Sequence, residues 1–127
     1  METFEHIHEQ DIGQVKISDE VMAVCAINAT LKTDGVAGLT GGLTDSISET
    51  ILGKESFSKG IKVNQTEEGI ILDVFVIVDY GVKIPAVAWD IQTNVKNELE
   101  TMTDRGVLAV NIHVQGVQAP EREEINE

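Results

Sequence analysis

The stretch "GIILDVFVIVDY", residues 69–80, limits the possible folds more than any other part of the chain. It is almost continuously apolar and rich in β-branched residues, yet well short of the ~20 residues that a membrane-spanning helix needs. It therefore reads as a strand inside a sheet. Alternation divides its side chains, with Ile70, Leu72, Val74, Val76 and Val78 on one face and Ile71, Asp73, Phe75, Ile77 and Asp79 on the other. Only the first face can be dry throughout, because the second carries two carboxylates that would be costly to bury unpaired. The strand thus predicts helices packed over one side of a sheet. On the open side, Ile71, Phe75 and Ile77 stand among polar neighbours such as Lys62, Asn64, Asn111 and His113. An apolar patch with a polar rim is the signature of a contact surface. The alternative cover is the chain's own N-terminal segment, through Phe4 and Ile7.

The remaining elements follow from local signals. "IGQVKI" alternates like a half-buried strand, and Ser18 with Asp19 and Glu20 then supplies a helix cap and an acidic first turn. The helix from about 19 to 32 places Val21, Val24, Cys25, Asn28 and Leu31 on one face, which predicts that this face is buried. "GVAGLTGG" reads as a loop and "LTDSISETILG" as a short helix with loose apolar spacing. "GIKVNQT" is joined to the long strand by "EEG", the chemistry of a tight hairpin. From Pro85 to about Thr103 apolar residues recur at Ile84, Ala88, Ile91, Val95, Leu99 and Met102, a helical period, with proline tolerated in the first turn. "GVLAVNIHVQ" closes as a strand with Leu108, Val110, Ile112 and Val114 facing one way. The expected fold is a two-layer α/β (α+β) domain in the order β-α-(short α)-β-β-α-β. It has about four strands in a mixed or antiparallel sheet and two main helices on one face. Residues 12–117 form the domain, and 1–11 and 118–127 are flexible acidic tails.

Composition excludes several functions. A net charge of -13 repels phosphate backbones, so no nucleic-acid partner is expected. The N-terminus lacks the basic and apolar regions of a signal peptide, and no apolar run is long enough for direct membrane insertion. One cysteine, Cys25, permits no internal disulfide and suits a cytoplasmic setting. The glycines of "GVAGLTGG" are followed by no lysine and preceded by no strand, which removes a phosphate loop. The alternative for this segment is a K-homology RNA module, whose glycine-x-x-glycine loop would be Gly35 to Gly38, although Asp34, Val36 and Ala37 offer a phosphate no positive charge. His6, His8 and Glu9 are too few for a usual metal site, and no serine or thiol stands beside a base. No catalytic residue, metal or cofactor is expected. Trp89 lies one position off the apolar stripe of its helix, where it could anchor an interface.

The segments "GQVKISDEVMAVCAINAT", "GVAGLTGG", "SKGIKV", "VDYGVKIPAVAWDIQTNVKNELETMT" and "VNIHVQGV" occur in the order in which they appear in the bacterial alkaline shock protein family. The chain resembles that family from about residue 12 to residue 117. It departs at "LKTDGVAGL", where the family usually has a glutamate-rich lead, and at Asp104 and Arg105, where the family commonly has a glycine and a hydrophobic residue. The resemblance implies a non-catalytic cytoplasmic protein of the cell-envelope stress response, held at the membrane in at least one branch by a small anchor protein. The open sheet face points to a homo-oligomeric scaffold, and the negative charge suits an anchor with basic segments. An accessory role in fatty-acid or lipid metabolism is the family's other branch. The residues expected to carry interaction are Ile71, Phe75, Ile77 and Trp89.

Overall fold

A computed structural model describes residues 12–40 and 56–120. The expected helix in "LTDSISETILG", the N-terminal histidines, and Phe4 and Ile7 all lie outside the described residues. The elements within them are α1 (Asp19–Leu31), β1 (Val36–Leu39), β2 (Ser56–Ser58), β3 (Ile61–Gln65), β4 (Ile70–Asp79), α2 (Ile84–Thr103) and β5 (Val107–Gln118). They form the α+β arrangement expected, two helices over an open sheet.

The apolar strand β4 is the centre of the sheet. Along one edge it pairs parallel with β5 over its whole length, from Ile70↔Val107 to Asp79↔Gln118. Its other edge is shared. Antiparallel β3 takes the first half, from Gln65↔Ile70 to Ile61↔Val74, and antiparallel β1 takes the second, from Leu39↔Val76 to Val36↔Val78. β2 extends the sheet beyond β3. The sheet is therefore mixed and five-stranded. A parallel pair cannot be joined by a hairpin, and α2 is the crossover that carries the chain from β4 to β5.

The β3–β4 hairpin forms where "EEG" predicts it. Thr66 Oγ1 accepts from the amides of Glu68 (3.2 Å) and Gly69 (3.1 Å), and Thr66 N–H donates to Gly69 O at 2.8 Å. Gly69 is required by close approach, since a Cβ there would lie 2.8 Å from Gly106 O and from Leu108 Cγ. The α2–β5 connection is pinned back to the hairpin by Arg105, which donates to Gln65 Oε1 (2.7 Å) and Thr66 O (2.8 Å). Asp104, where the family commonly has glycine, caps α2 in the left-handed region at φ 62°.

The core lies between the helices and one face of β4. Ile70, Leu72, Val74, Val76 and Val78 are all sealed from solvent, joined by Ile61 and Val63 of β3 and by Val87, Ile91, Val95 and Leu99 of α2. Burying each of these side chains contributes roughly 1.5–3 kcal/mol of transfer free energy. Ser18 caps α1 by accepting from Val21 N–H at 3.2 Å, as its sequence position predicts.

Four expectations are corrected. "IGQVKI" is not a strand; residues 13–18 are irregular. Its Ile17 carbonyl is held by Gln65 Nε2 at 3.0 Å, and Ile17 packs partly on the core. "GVAGLTGG" is not wholly loop, since Val36–Leu39 is β1, docked on the half of β4 that β3 is too short to reach. The buried face of α1 is Met22, Ala23, Cys25, Ala26, Ala29 and Thr30, while Val21, Val24 and Leu31 are about half exposed. Its small residues let the backbone approach its neighbours, which the valine face would hold off. Finally, a register shift between Ile70 and Ile71 makes Val107 the inward residue of β5 and leaves Leu108 exposed. Val110 and Ile112 then face the core as expected.

Candidate interaction surface

The odd-numbered residues of β4 emerge on the face opposite the helices, and Ile71, Asp73, Phe75 and Ile77 are each half-buried there. Their spacing is fixed from behind, because the alternate residues of the same strand are locked in the core. Cross-strand register decides their neighbours. Ile71 stands between Asn64 and Ala109, Asp73 between Lys62 and Asn111, and Phe75 beside His113, while Ile77 faces Gly116.

His113 is more than the outward polar residue its alternation suggests. Its ring stacks on Phe75 with centroids 4.3 Å apart and planes 12° from parallel. Its Nε2 lies 2.8 Å from Asp73 Oδ1. The carboxylate can only accept, so Nε2 carries the proton and the imidazole is fixed in one orientation. The cluster could not be found in sequence, because it depends on the parallel register of β4 and β5, and parallel pairing leaves no turn signal. The hydrogen bond holds the imidazole against Phe75, so the pair fixes the orientation of an aromatic surface.

The structure does not bring Trp89 to this face. Trp89 is 67% exposed on α2, in the layer that covers the opposite side of the sheet. Ile71, Phe75 and Ile77 form one surface, and Trp89 belongs to another.

Other chemical candidates are structural. Cys25 is buried in α1, with Sγ 3.5 Å from Met102 Sδ. Burial, and secondarily the charge of Glu98, pushes its thiol pKa up, away from the reactive thiolate. Gly35 and Gly38 do not form an open loop between helices. The Gly35 carbonyl accepts from Asp79 N–H at 2.9 Å, and a Cβ there would meet Val87 at 2.8 Å, so its φ of +94° serves close packing on α2. Gly38 is paired with Ile77. Among the described residues, no three histidine, cysteine or carboxylate side chains are grouped to hold a metal ion. No described helix is long and apolar enough to cross a membrane.

A family model for alkaline shock protein 23, described as having a cell envelope-related function, matches residues 7–119. The chain belongs to the alkaline shock protein 23 family. The match contains every described element, including β1, which is the "GVAGL" segment of the alkaline shock resemblance. This alkaline shock family chain is 42% identical over 108 residues to YloU of Bacillus subtilis, covering 84% of this chain and 89% of that one. It is 38% identical over 107 residues to YqhY of the same organism, covering 84% and 78%. A Streptococcus pyogenes protein named as a homologue of the stress response regulator gls24 is 26% identical over 110 residues, which are 87% of this chain and 62% of that one. Among solved structures, a variant of MamM-CTD superposes with a TM-score of 0.47 at 14% identity, covering 82% of this chain and all of that one. At that level the likeness carries no functional information.

Proposed function

We propose that this alkaline shock family protein is a non-catalytic interaction module of the cell-envelope stress response, working in the cytoplasm as a scaffold. The observation that carries this reading is the open face of β4. Ile71, Phe75 and Ile77 are held at fixed spacing by a strand whose other face is sealed in the core, and their aromatic centre is oriented by a His113–Asp73 hydrogen bond. Rigid apolar groups with polar neighbours suit protein contact, because little side-chain entropy is lost when they are covered. The family's cell-envelope description and its stress-response relative supply the setting. The partner on this face is a second copy, and the net charge of -13 favours basic segments of a membrane-anchor protein as a further partner. The domain proper is residues 12–118, one residue beyond the expected boundary because Gln118, in β5, still pairs with Asp79.

The test is solution mass by light scattering for Phe75→Asp and Ile77→Asp, with circular dichroism to verify folding. The expected result is a lower mass for folded variants than for the wild type. Folded variants that keep the wild-type mass would remove self-association through this face.

A further inference from the structure

The two edges of the sheet differ in kind. One edge is broken into short pieces, β1 with four residues and β2 with three. The other is β5, a twelve-residue strand that pairs only with β4 among the described residues. A long edge strand offers a row of backbone donors and acceptors to any second strand, and proteins ordinarily protect such edges with lysine, other charges or proline. β5, "VLAVNIHVQGVQ", has none of these, in a chain whose residues are 24% charged.

The direction of its backbone groups can be read from three hydrogen bonds. Ile70 N–H and Tyr80 N–H donate to Gly106 O and Gln118 O at the two ends of the β4–β5 ladder, both at 2.9 Å. Between them, Val110 O accepts from Gln92 Nε2 of α2 at 3.0 Å, so the Val110 carbonyl points away from β4. Peptide groups alternate along a strand, so the backbone groups of Ile112 and Val114 also point outward. Between the register shifts at Ile70/Ile71 and Val76/Ile77 the ladder runs without interruption from Ala109 to Val114. That stretch is regular enough to accept another strand. Beside it, Val114 is 36% and Val117 50% exposed.

We infer that the outer edge of β5 pairs antiparallel with β5 of a second copy, joining two five-stranded sheets into one. The occupant follows from charge. Two copies of a molecule with a net charge of -13 repel one another over most of their surface. In a two-fold contact each surface patch meets itself, so like charges on the edge would face like charges. An uncharged edge of apolar and amide residues is the part of the sheet on which two copies can meet without that cost, and its backbone groups supply matched donors and acceptors. This pairing is independent of the open face: it uses the strand's rim, leaves Ile71, Phe75 and Ile77 uncovered, and stands whether or not they bind a partner.

The experiment combines residue-resolved amide hydrogen exchange on the full chain with sedimentation of Val114→Lys and Val114→Asp. The expected result is that the Ile112 and Val114 amides exchange at least about tenfold more slowly at a concentration where the wild type is dimeric than at one where it is monomeric. Both charged variants should shift the wild type's dimer towards monomer, because either sign disrupts pairing with a copy of itself. Amides protected equally at all concentrations in a monomer would overturn the inference in favour of cover by the chain's own segment. Fast exchange in a dimer whose mass responds to Phe75→Asp but not to Val114→Lys would assign self-association to the open face and reject the edge. A wild type that stays monomeric with fast exchange would reject both self-contacts. Stronger association of Val114→Asp with a basic protein partner, without homodimer, would reject a second copy as the occupant.

Discussion

The two helices cover the same sheet by different means. α2 is amphipathic, and its buried residues Val87, Ile91, Val95 and Leu99 form a single row at four-residue spacing. α1 carries apolar residues around most of its circumference, so hydrophobicity alone does not choose a face. Size does. The chosen face is rich in alanine, with Ala23, Ala26 and Ala29 beside Met22 and Cys25, and the exposed face keeps Val21, Val24 and Leu31. One helix is held by filling space with large side chains, the other by approaching closely with small ones. Helix packing can therefore fail in opposite ways on the two sides of one core.

The largest expected effect is at the large-residue helix. Leu99 is fully buried, and Leu99→Ala removes its contacts and leaves a cavity, which should cost roughly 2–5 kcal/mol in denaturant unfolding. The opposite change tests the small-residue helix. Ala26 is also fully buried, and Ala26→Leu adds volume where no space exists, costing about 1–3 kcal/mol through strain. If Ala26→Leu were neutral, α1 would not be packed closely, and the size argument for its orientation would fail. Urea melts of the two variants separate these outcomes.

The sequence makes the elements governed by local rules legible. The β3–β4 hairpin has its turn chemistry in "TEEG", and β4 has its burial parity declared by Asp73 and Asp79. α2 has its period, although its end residues Ile84 and Met102 leave the stripe and are exposed, because the row that packs follows a strict four-residue step through Val87. The features that were not legible depend on contacts distant in sequence. β1 is a strand only because β3 begins at Ile61, opposite Val74, and leaves the second half of one β4 edge unpaired. Leu108 faces outward only because the ladder slips at Ile70/Ile71. Of the candidate surface, Ile71, Phe75 and Ile77 could be placed together by alternation, and Trp89 apart from them by lying on a helix expected over the other side, whereas the His113–Asp73 contact required strand order.

The smallest expected effect is the sharpest for α1. Val24 is 56% exposed on its outward face, so Val24→Gln removes little buried area. The substitution also replaces a β-branched residue, whose side chain is restricted in a helix, with a straight-chain one of better helix propensity. The two changes nearly cancel, and stability should move by less than ~0.5 kcal/mol, as for ordinary surface sites. That is about 2–4 °C in thermal midpoint for a domain of this size. A loss above ~1.5 kcal/mol would mean that the valine face is covered in the folded chain, and that size did not decide which side of α1 is buried. A concentration-dependent loss would instead mean that the cover comes from another molecule, since stabilisation by a partner follows its concentration. A melt of Val24→Gln at two protein concentrations therefore distinguishes an exposed face, an internally covered one and an intermolecular contact.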